Sequence, residues 1–254
     1  MPDRRTRARF QRLISEAMSQ PFAGWDFTFL ANRWQEHPLP WSYVDRVRSL
    51  LPLTRRMLDM GTGGGELLSS LTPLPPECWA TEAYPPNIPI ARQRLEPLGA
   101  RVVAVEDDAH LPLPDAHFDL VINRHENFYA AEVARVLMPE GRFITQQVGE
   151  LQAIDLNDFL CDEPVPRKHS YYQKALHYLR EAGLHIVDSR EVCVALDFLD
   201  IGAVVFYLRA IPWQLPGFAI DRYRPRLLAL HKEIQSHGKF TTKAHRYFIE
   251  AAKV

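Results

Sequence analysis

The feature that most restricts the fold of this chain is a run of glycines directly after a short apolar segment. Three of the four residues at 57–60 are apolar, and glycines follow at positions 61, 63, 64 and 65. Glycine lets the backbone turn sharply, adopt a positive φ and approach a ligand without a Cβ in the way. The pattern predicts a buried strand that turns through a ligand-binding loop into a helix.

Short apolar segments alternate with helical patterns on both sides of this loop. Buried strands that alternate with helices indicate a parallel sheet covered on both faces. We therefore predict the α/β fold class, with a doubly wound, mostly parallel sheet. The predicted strands are 57–60, 78–81, 101–105, 118–122 and 142–147, and the predicted helices between them are 66–71, 88–98 and 130–137.

The flanking segments are less regular. Apolar residues at helical spacing predict a helix over 4–18, and the Pro-, Trp- and Phe-rich segment 20–40 is expected to form an irregular cap without a role in the sheet. We divide the chain into an N-terminal helical and irregular cap (1–52), a ligand-binding core (53–150) and the C-terminal half of the same domain (151–254), with a cap insertion near 201–240. Further elements are predicted at 41–51 (helix), 171–182 (helix), 185 onward (strand), 201–211 (apolar stretch), 223–235 (helix) and 246–251 (last strand).

The acidic residues around the loop indicate what it binds. A dinucleotide fingerprint that begins at Gly61 needs its third glycine at position 66, which is Glu66. A carboxylate where a pyrophosphate would meet the helix N-terminus disfavours NAD, although it suits a ligand that carries a sulfonium and an ammonium group. Asp59 before the glycines favours the same ligand. An NAD-dependent oxidoreductase is thus a disfavoured alternative.

Further marks follow the glycine loop in a fixed order. Glu82 ends the second predicted strand, 21 residues after Gly61, a pair of acids at 107–108 follows the third, and the segments 118–121 and 132–143 cover the fourth and fifth. As a set, these residues resemble class I S-adenosylmethionine-dependent methyltransferases over about 55–148. The resemblance implies a Rossmann-like fold with an antiparallel last strand, S-adenosyl-L-methionine as cofactor and methyl transfer as the reaction.

The resemblance also implies roles for single residues. Glu82 is expected to accept hydrogen bonds from the ribose hydroxyls and Asp108 one from the adenine amino group, with Asp107 as the alternative adenine partner or a simple turn residue. The full set of expected cofactor-binding residues is Asp59, Gly61, Thr62, Gly63, Gly65, Glu82, Ala83, Asp107, Asp108, Ala109 and Asn123.

Catalytic candidates follow the fourth strand. Ligands of open α/β sheets bind beyond the carboxyl ends of the strands, where His125 and Glu126 stand. Histidine titrates near neutral pH, so we predict His125 as a general base, with Glu126 to orient it or act itself. The alternative is that both residues merely precede the next helix. No metal ligand set is predicted.

Composition bears on the substrate and the compartment. The 30 basic and 31 acidic side chains nearly cancel, so the chain has no strong electrostatic field that would attract a polyanion or a membrane. We therefore predict a small-molecule acceptor. An RNA methyltransferase that binds through the N-terminal arginines is one alternative, and a catalytically inactive, cofactor-binding regulatory subunit is another. Three scattered cysteines and no long apolar run suit a soluble protein of the cytoplasm.

Overall fold

The computed structural model describes residues 4–22, 25–163 and 170–254, and within these ranges eight strands form one sheet. They are β1 (Trp34–Glu36), β2 (Arg56–Met60), β3 (Glu77–Glu82), β4 (Ala100–Ala104), β5 (Phe118–Arg124), β6 (Leu137–Val148), β7 (Leu184–Phe198) and β8 (Phe240–Lys253). Their order across the sheet is β1-β7-β8-β6-β5-β2-β3-β4.

The direction of the strands confirms the predicted fold class. Strands β4, β3, β2, β5 and β6 are parallel, whereas β8 runs antiparallel to both β6 and β7. From β2 the chain builds outward through β3 and β4, then returns to place β5 on the other side of β2. The crevice at such a reversal, beyond the carboxyl ends of the strands, is where open α/β sheets bind ligands.

The helices cover the sheet on both faces. They are α1 (Arg4–Ser19), α2 (Tyr43–Leu50), α3 (Glu66–Ser70), α4 (Asn87–Leu95), α5 (Ala130–Val136), α6 (Ile154–Leu160), α7 (Tyr171–Glu181), α8 (Ile201–Ala210) and α9 (Ile220–His237). Helix α1 buries Phe10, Leu13, Ile14 and Ala17, the apolar face from which it was predicted. Helix α6 was not predicted.

The segment 20–40 differs from its prediction. Trp34, Gln35 and Glu36 pair antiparallel with Phe198, Asp197 and Leu196 of β7 and so form the edge of the sheet. The expectation that this segment has no role in the sheet is therefore wrong. Three residues are too few to show the alternation by which a strand is recognised. Residues 23 and 24 of the segment lie outside the described ranges.

The apolar stretch after residue 200 is also placed differently. It was expected to cap the site, but every residue of α8 except Arg209 is buried. The helix belongs to a core cluster with α1, α9 and the end of β7. A helix that is apolar all round lies in the interior of a protein. Within 201–218, the exposed residues therefore lie in 211–218.

The last two strands are longer than the sequence suggested. Strands β7 and β8 pair from Leu184 and Lys253 to Phe198 and Phe240. Along β7 most side chains are half-buried or exposed, and this partial exposure weakens the apolar pattern. None of the helices in the described ranges combines the length and apolar composition that a bilayer crossing requires.

Candidate active site

The glycine loop joins β2 to α3 with three glycines in the left-handed region. The φ angles of Gly61, Gly63 and Gly65 are +70°, +63° and +81°. A Cβ on Gly61 would lie 2.2 Å from Cγ of Glu126, and one on Gly63 would lie 3.1 Å from Cδ1 of Trp25. The loop is therefore packed closely by side chains from two other segments, and glycine is required at position 61 on both counts.

Four carboxylates surround this loop without a cation. Asp59 and Glu82 are 3% and 5% exposed, and Asp108 and Glu126 are half-buried. Burial raises the pKa of Asp59 to about 6 and also raises the pKa of the other three. None of the four forms an ion pair within the described ranges. A site that keeps uncompensated carboxylates together suits a positively charged ligand.

The structure brings Glu126 together with these acids. Its side chain lies over Gly61, and repulsion from Asp108 and Glu82 adds to the effect of burial on its pKa. Glu82 holds its own position because Oε1 accepts a hydrogen bond of 2.7 Å from the N–H of Tyr84. Glu126 thus stands at the junction of the loop and the cavity described below.

The residues predicted to follow β4 divide into two groups. Asp107 is exposed, and its carboxylate accepts a hydrogen bond of 2.8 Å from the N–H of Ala109 and lies 3.2 Å from Nδ1 of His110. This is a turn residue that stabilises its own loop. Asp108 is half-buried and is close enough to Glu126 to raise its pKa. Ala83, which directly follows Glu82 at the end of β3, is exposed.

Asn123 is placed within the sheet. Its side chain is fully buried, donates to the carbonyl of Met60 at 3.1 Å and accepts from Oγ1 of Thr145 and from Nε2 of Gln147. These contacts connect the ends of β2, β5 and β6. Asn123 does not line the adjoining cavity, so the structure gives it a supporting position under the site.

A cavity of about 550 Å³ adjoins the loop at the carboxyl ends of these strands. Aromatic side chains from three segments wall it. Trp25 and Trp213 lie 5.8 Å apart and Trp34 and Tyr207 lie 6.1 Å apart, measured between ring centroids. The aromatic members of the wall are Trp25, Phe27, Trp34, Tyr207 and Trp213. Such a wall accommodates an apolar or ring-shaped molecule.

His125 lies in the cavity with a defined tautomer. Trp41 donates from Nε1 to Oε1 of Gln146 at 2.9 Å, so the NH₂ group of Gln146 faces Nε2 of His125 at 3.4 Å. Because an amide NH₂ only donates, Nε2 accepts and the imidazole carries its hydrogen on Nδ1. Burial, Arg124 and Arg246 lower the pKa of His125 well below 6.5, which makes it neutral at pH 7.

Two arginines line the cavity. Arg246 donates to Glu36 at 2.6 Å and to Gln152 at 2.5 Å. Arg124, the last residue of β5, also lines the cavity. The sequence did not indicate the pair of Arg246 and Glu36, because 210 positions separate these residues and only the β8-β7-β1 order brings them together.

Comparison with known proteins identifies the core. Residues 58–145 match the family described as a methyltransferase domain. This segment is therefore similar to class I methyltransferases. Demethylmenaquinone methyltransferase of Thermus thermophilus is 38% identical over 100 residues, which cover 35% of this chain and 46% of that protein. The uncharacterized methyltransferase YcgJ of Bacillus subtilis is 30% identical over 98 residues, which cover 35% of this chain and 39% of that protein.

The likeness extends further in structure than in sequence. This chain spans less than half the length of the two curated relatives. A functionally unknown protein from Deinococcus radiodurans R1 superposes with a TM-score of 0.59 over 99% of this chain and 100% of that one, at 16% identity. At that identity the match shows the fold alone.

A second polar cluster lies outside the methyltransferase cavity. Glu150, Glu191 and His245 could each offer a metal ligand. However, Nδ1 of His245 accepts a hydrogen bond of 3.1 Å from the N–H of Leu151, and Nε2 lies 3.1 Å from Glu191. With Nδ1 as acceptor, Nε2 carries the hydrogen and has no lone pair for an ion. The cluster is therefore a hydrogen-bonded support for β8.

We expect ligand binding to protect the mouth of the cavity from hydrogen exchange and to leave α8 unchanged. Two parts of the predicted cap border the opening. One is Trp25, which packs against Gly63, and the other is the segment 211–218. Hydrogen exchange should therefore slow at 25–27 and 211–218 when S-adenosylhomocysteine is added, while the buried 201–210 stays unchanged. Protection gained by 201–210 instead would contradict this assignment.

Proposed function

We propose that this protein transfers a methyl group from S-adenosylmethionine to a small-molecule acceptor. The observation that carries the proposal is the group of four buried or half-buried carboxylates without a cation around the glycine loop, next to an aromatic cavity. When bound, this cofactor supplies a methyl group already activated on a sulfonium. Its positive charges would offset the carboxylates around the loop, which have no cationic partner in the described ranges.

The residues present fit the cofactor in type and position. Glu82, at the end of β3, would accept hydrogen bonds from the ribose hydroxyls, and the half-buried Asp108 would accept one from the adenine amino group. Asp59 and Glu126 would face the charged end of the molecule. The lack of a Cβ at Gly61 lets Glu126 approach the loop backbone closely.

The cavity residues would hold the acceptor and exclude water. Methyl transfer to an oxygen or nitrogen needs an in-line approach and a free lone pair, so positioning supplies much of the rate. The aromatic wall would orient the acceptor. His125 is unprotonated at neutral pH, as a base must be, but its low pKa makes it a weak one.

The position of the N-terminal arginines favours a small molecule over RNA. The lining of the cavity of about 550 Å³ includes the glycine loop, so cofactor and acceptor would share this space. The arginines of α1 are not among the cavity-lining residues. The Thermus thermophilus relative is named as a demethylmenaquinone methyltransferase, which supports a small acceptor here as well.

Methyl-labelled cofactor tests the proposal directly. The protein is incubated with labelled S-adenosylmethionine and, separately, with the small-molecule, RNA and protein fractions of a cell extract. We expect label in the small-molecule fraction only. Label in RNA would establish the alternative acceptor, and tight S-adenosylhomocysteine binding without labelling of any fraction would favour a regulatory subunit.

His125→Ala tests the role of the histidine once an acceptor is known. We expect turnover to fall about 10-fold, less than the 10²–10⁴ typical of a general base, because the imidazole is held neutral and partly engaged by Gln146. The affinity for S-adenosylhomocysteine should not change. Measuring both quantities separates a role toward the acceptor from a structural one, and unchanged turnover would make His125 structural.

A further inference from the structure

We propose that the acceptor of this methyltransferase domain is an organic anion with a ring-shaped apolar body, and that Arg124 binds its carboxylate or ionised hydroxyl oxygen. This inference rests on the proposed function, because it concerns the second molecule in the same cavity.

Arg124 is a guanidinium without an acceptor. It ends β5 beside the candidate base and its side chain lines the cavity. Throughout the described ranges, no side chain or carbonyl forms a hydrogen bond or ion pair with it. A guanidinium offers five N–H donors in a planar fork that matches an anionic oxygen pair. Arg124 is exposed and lines the cavity without a protein partner, so its donors are available to a ligand.

The neighbouring arginine is not available in the same way. Arg246 is 6% exposed, and its two terminal nitrogens are engaged by Glu36 and Gln152 and by the carbonyl of His245. Desolvation lowers the pKa of Arg124, and the positive charge of Arg246 adds to this effect. Because Arg246 is already engaged, Arg124 is the better candidate for contact with a ligand.

The cavity wall carries charged side chains of both signs. Its arginines are Arg124 and Arg246, and its carboxylates are Glu36, Asp59, Glu66 and Glu126. Glu36 pairs with Arg246 at 2.6 Å, which leaves the Arg124 guanidinium for an anionic group of the acceptor.

The remaining wall defines the body of the acceptor. Trp34 and Tyr207 face the same space as Arg124, and Trp25 and Trp213 close it. Flat apolar rings pack well against such side chains. With Nε2 of His125 engaged by Gln146, the Nδ1–H is a second donor for the same oxygen.

The test uses two probes that differ in charge but little in shape, 2-naphthoate and 2-naphthamide. Their binding is measured by calorimetry at pH 7 and low ionic strength, in the presence of saturating S-adenosylhomocysteine. We expect the wild-type protein to bind naphthoate about 10-fold more tightly, as a charge-assisted hydrogen bond provides. Arg124→Gln should reduce this preference to less than about 2-fold while naphthamide binding stays the same.

Two further variants complete the experiment. Arg124→Lys keeps the charge but not the planar fork, so part of the preference should return. Arg12→Gln removes an exposed arginine of α1 and should change nothing. Normal S-adenosylhomocysteine binding with no preference for naphthoate, including failure to bind either probe, would overturn this inference alone. Failure to bind S-adenosylhomocysteine would instead count against the proposed function.

Discussion

Asp59→Asn is expected to stabilise the ligand-free protein by about 3 kcal/mol at pH 7 while weakening cofactor binding. Burial raises the pKa of Asp59 from 3.8 to about 6. A shift of about two pKa units corresponds to about 3 kcal/mol at 1.36 kcal/mol per unit, the free energy of holding a buried charge that asparagine does not carry. Loss of the carboxylate should weaken S-adenosylhomocysteine binding by about 10-fold.

The effect depends on pH in a defined direction. Well below pH 3.8, the ordinary pKa, Asp59 is protonated in both the folded and the unfolded state, so its burial has no charge penalty. Between pH 4 and 6 the unfolded state loses its proton first, and the stability of the wild type falls relative to the variant. Urea unfolding of both proteins from pH 4.5 to 8 measures this difference.

Asp107→Asn is the matched control for this experiment. The Asp107 carboxylate is exposed, and hydrogen bonds from Ala109 and His110 lower its pKa, so its replacement should give no stabilisation at neutral pH. A free energy of unfolding for Asp59→Asn that equals the wild type at pH 8 would show that the buried carboxylate has a compensating partner.

Glu82→Gln is expected to weaken S-adenosylhomocysteine binding by about 100-fold. A carboxylate that accepts two hydroxyl hydrogen bonds makes charge-assisted contacts of roughly 1.5–3 kcal/mol each, and about 3 kcal/mol in all remains after allowing for coupling between them. Isothermal titration calorimetry measures the change. Asp108→Asn should have a smaller effect, about 10-fold, because it removes one contact.

Glutamine is the appropriate replacement because Glu82 is buried and supports its own loop. Its Oε1 accepts the N–H of Tyr84 at 2.7 Å, which the amide oxygen of glutamine can also accept. Alanine would leave that N–H without a partner, at about 1–3 kcal/mol of stability, and would confuse folding with binding. Glu96→Gln, a surface acid at the end of α4, serves as the control. An unchanged dissociation constant for Glu82→Gln would remove this residue from the site.

The parallel half of the fold could be predicted because its signals are local. Strands β2, β3 and β5 are short and buried, and buried strands of a parallel sheet appear as continuous apolar runs. The loop requires glycines because its backbone adopts positive φ angles, as at Gly61. These features depend on neighbours in the sequence, so the sequence shows them.

The other half of the cavity could not be predicted because it depends on distant pairing. Strand β1 has three residues and is defined only by its partners in β7. The pair of Glu36 and Arg246 and the unpaired Arg124 have no mark in the sequence that sets them apart from surface charges. Trp41 donates a hydrogen bond that orients Gln146, and Gln146 in turn contacts His125. This contact also joins residues that are distant in the sequence, so the sequence does not show it.

The three-residue edge strand has a kinetic consequence. Local opening at the edge of a sheet requires less free energy than global unfolding. If β1 separated from β7, Trp34 would leave the wall of the cavity and Glu36 would leave Arg246 in the same motion. Such an opening would uncover the positive charge of Arg246 as it widened the cavity, so under our proposal the state that admits an anionic acceptor would also attract it most strongly.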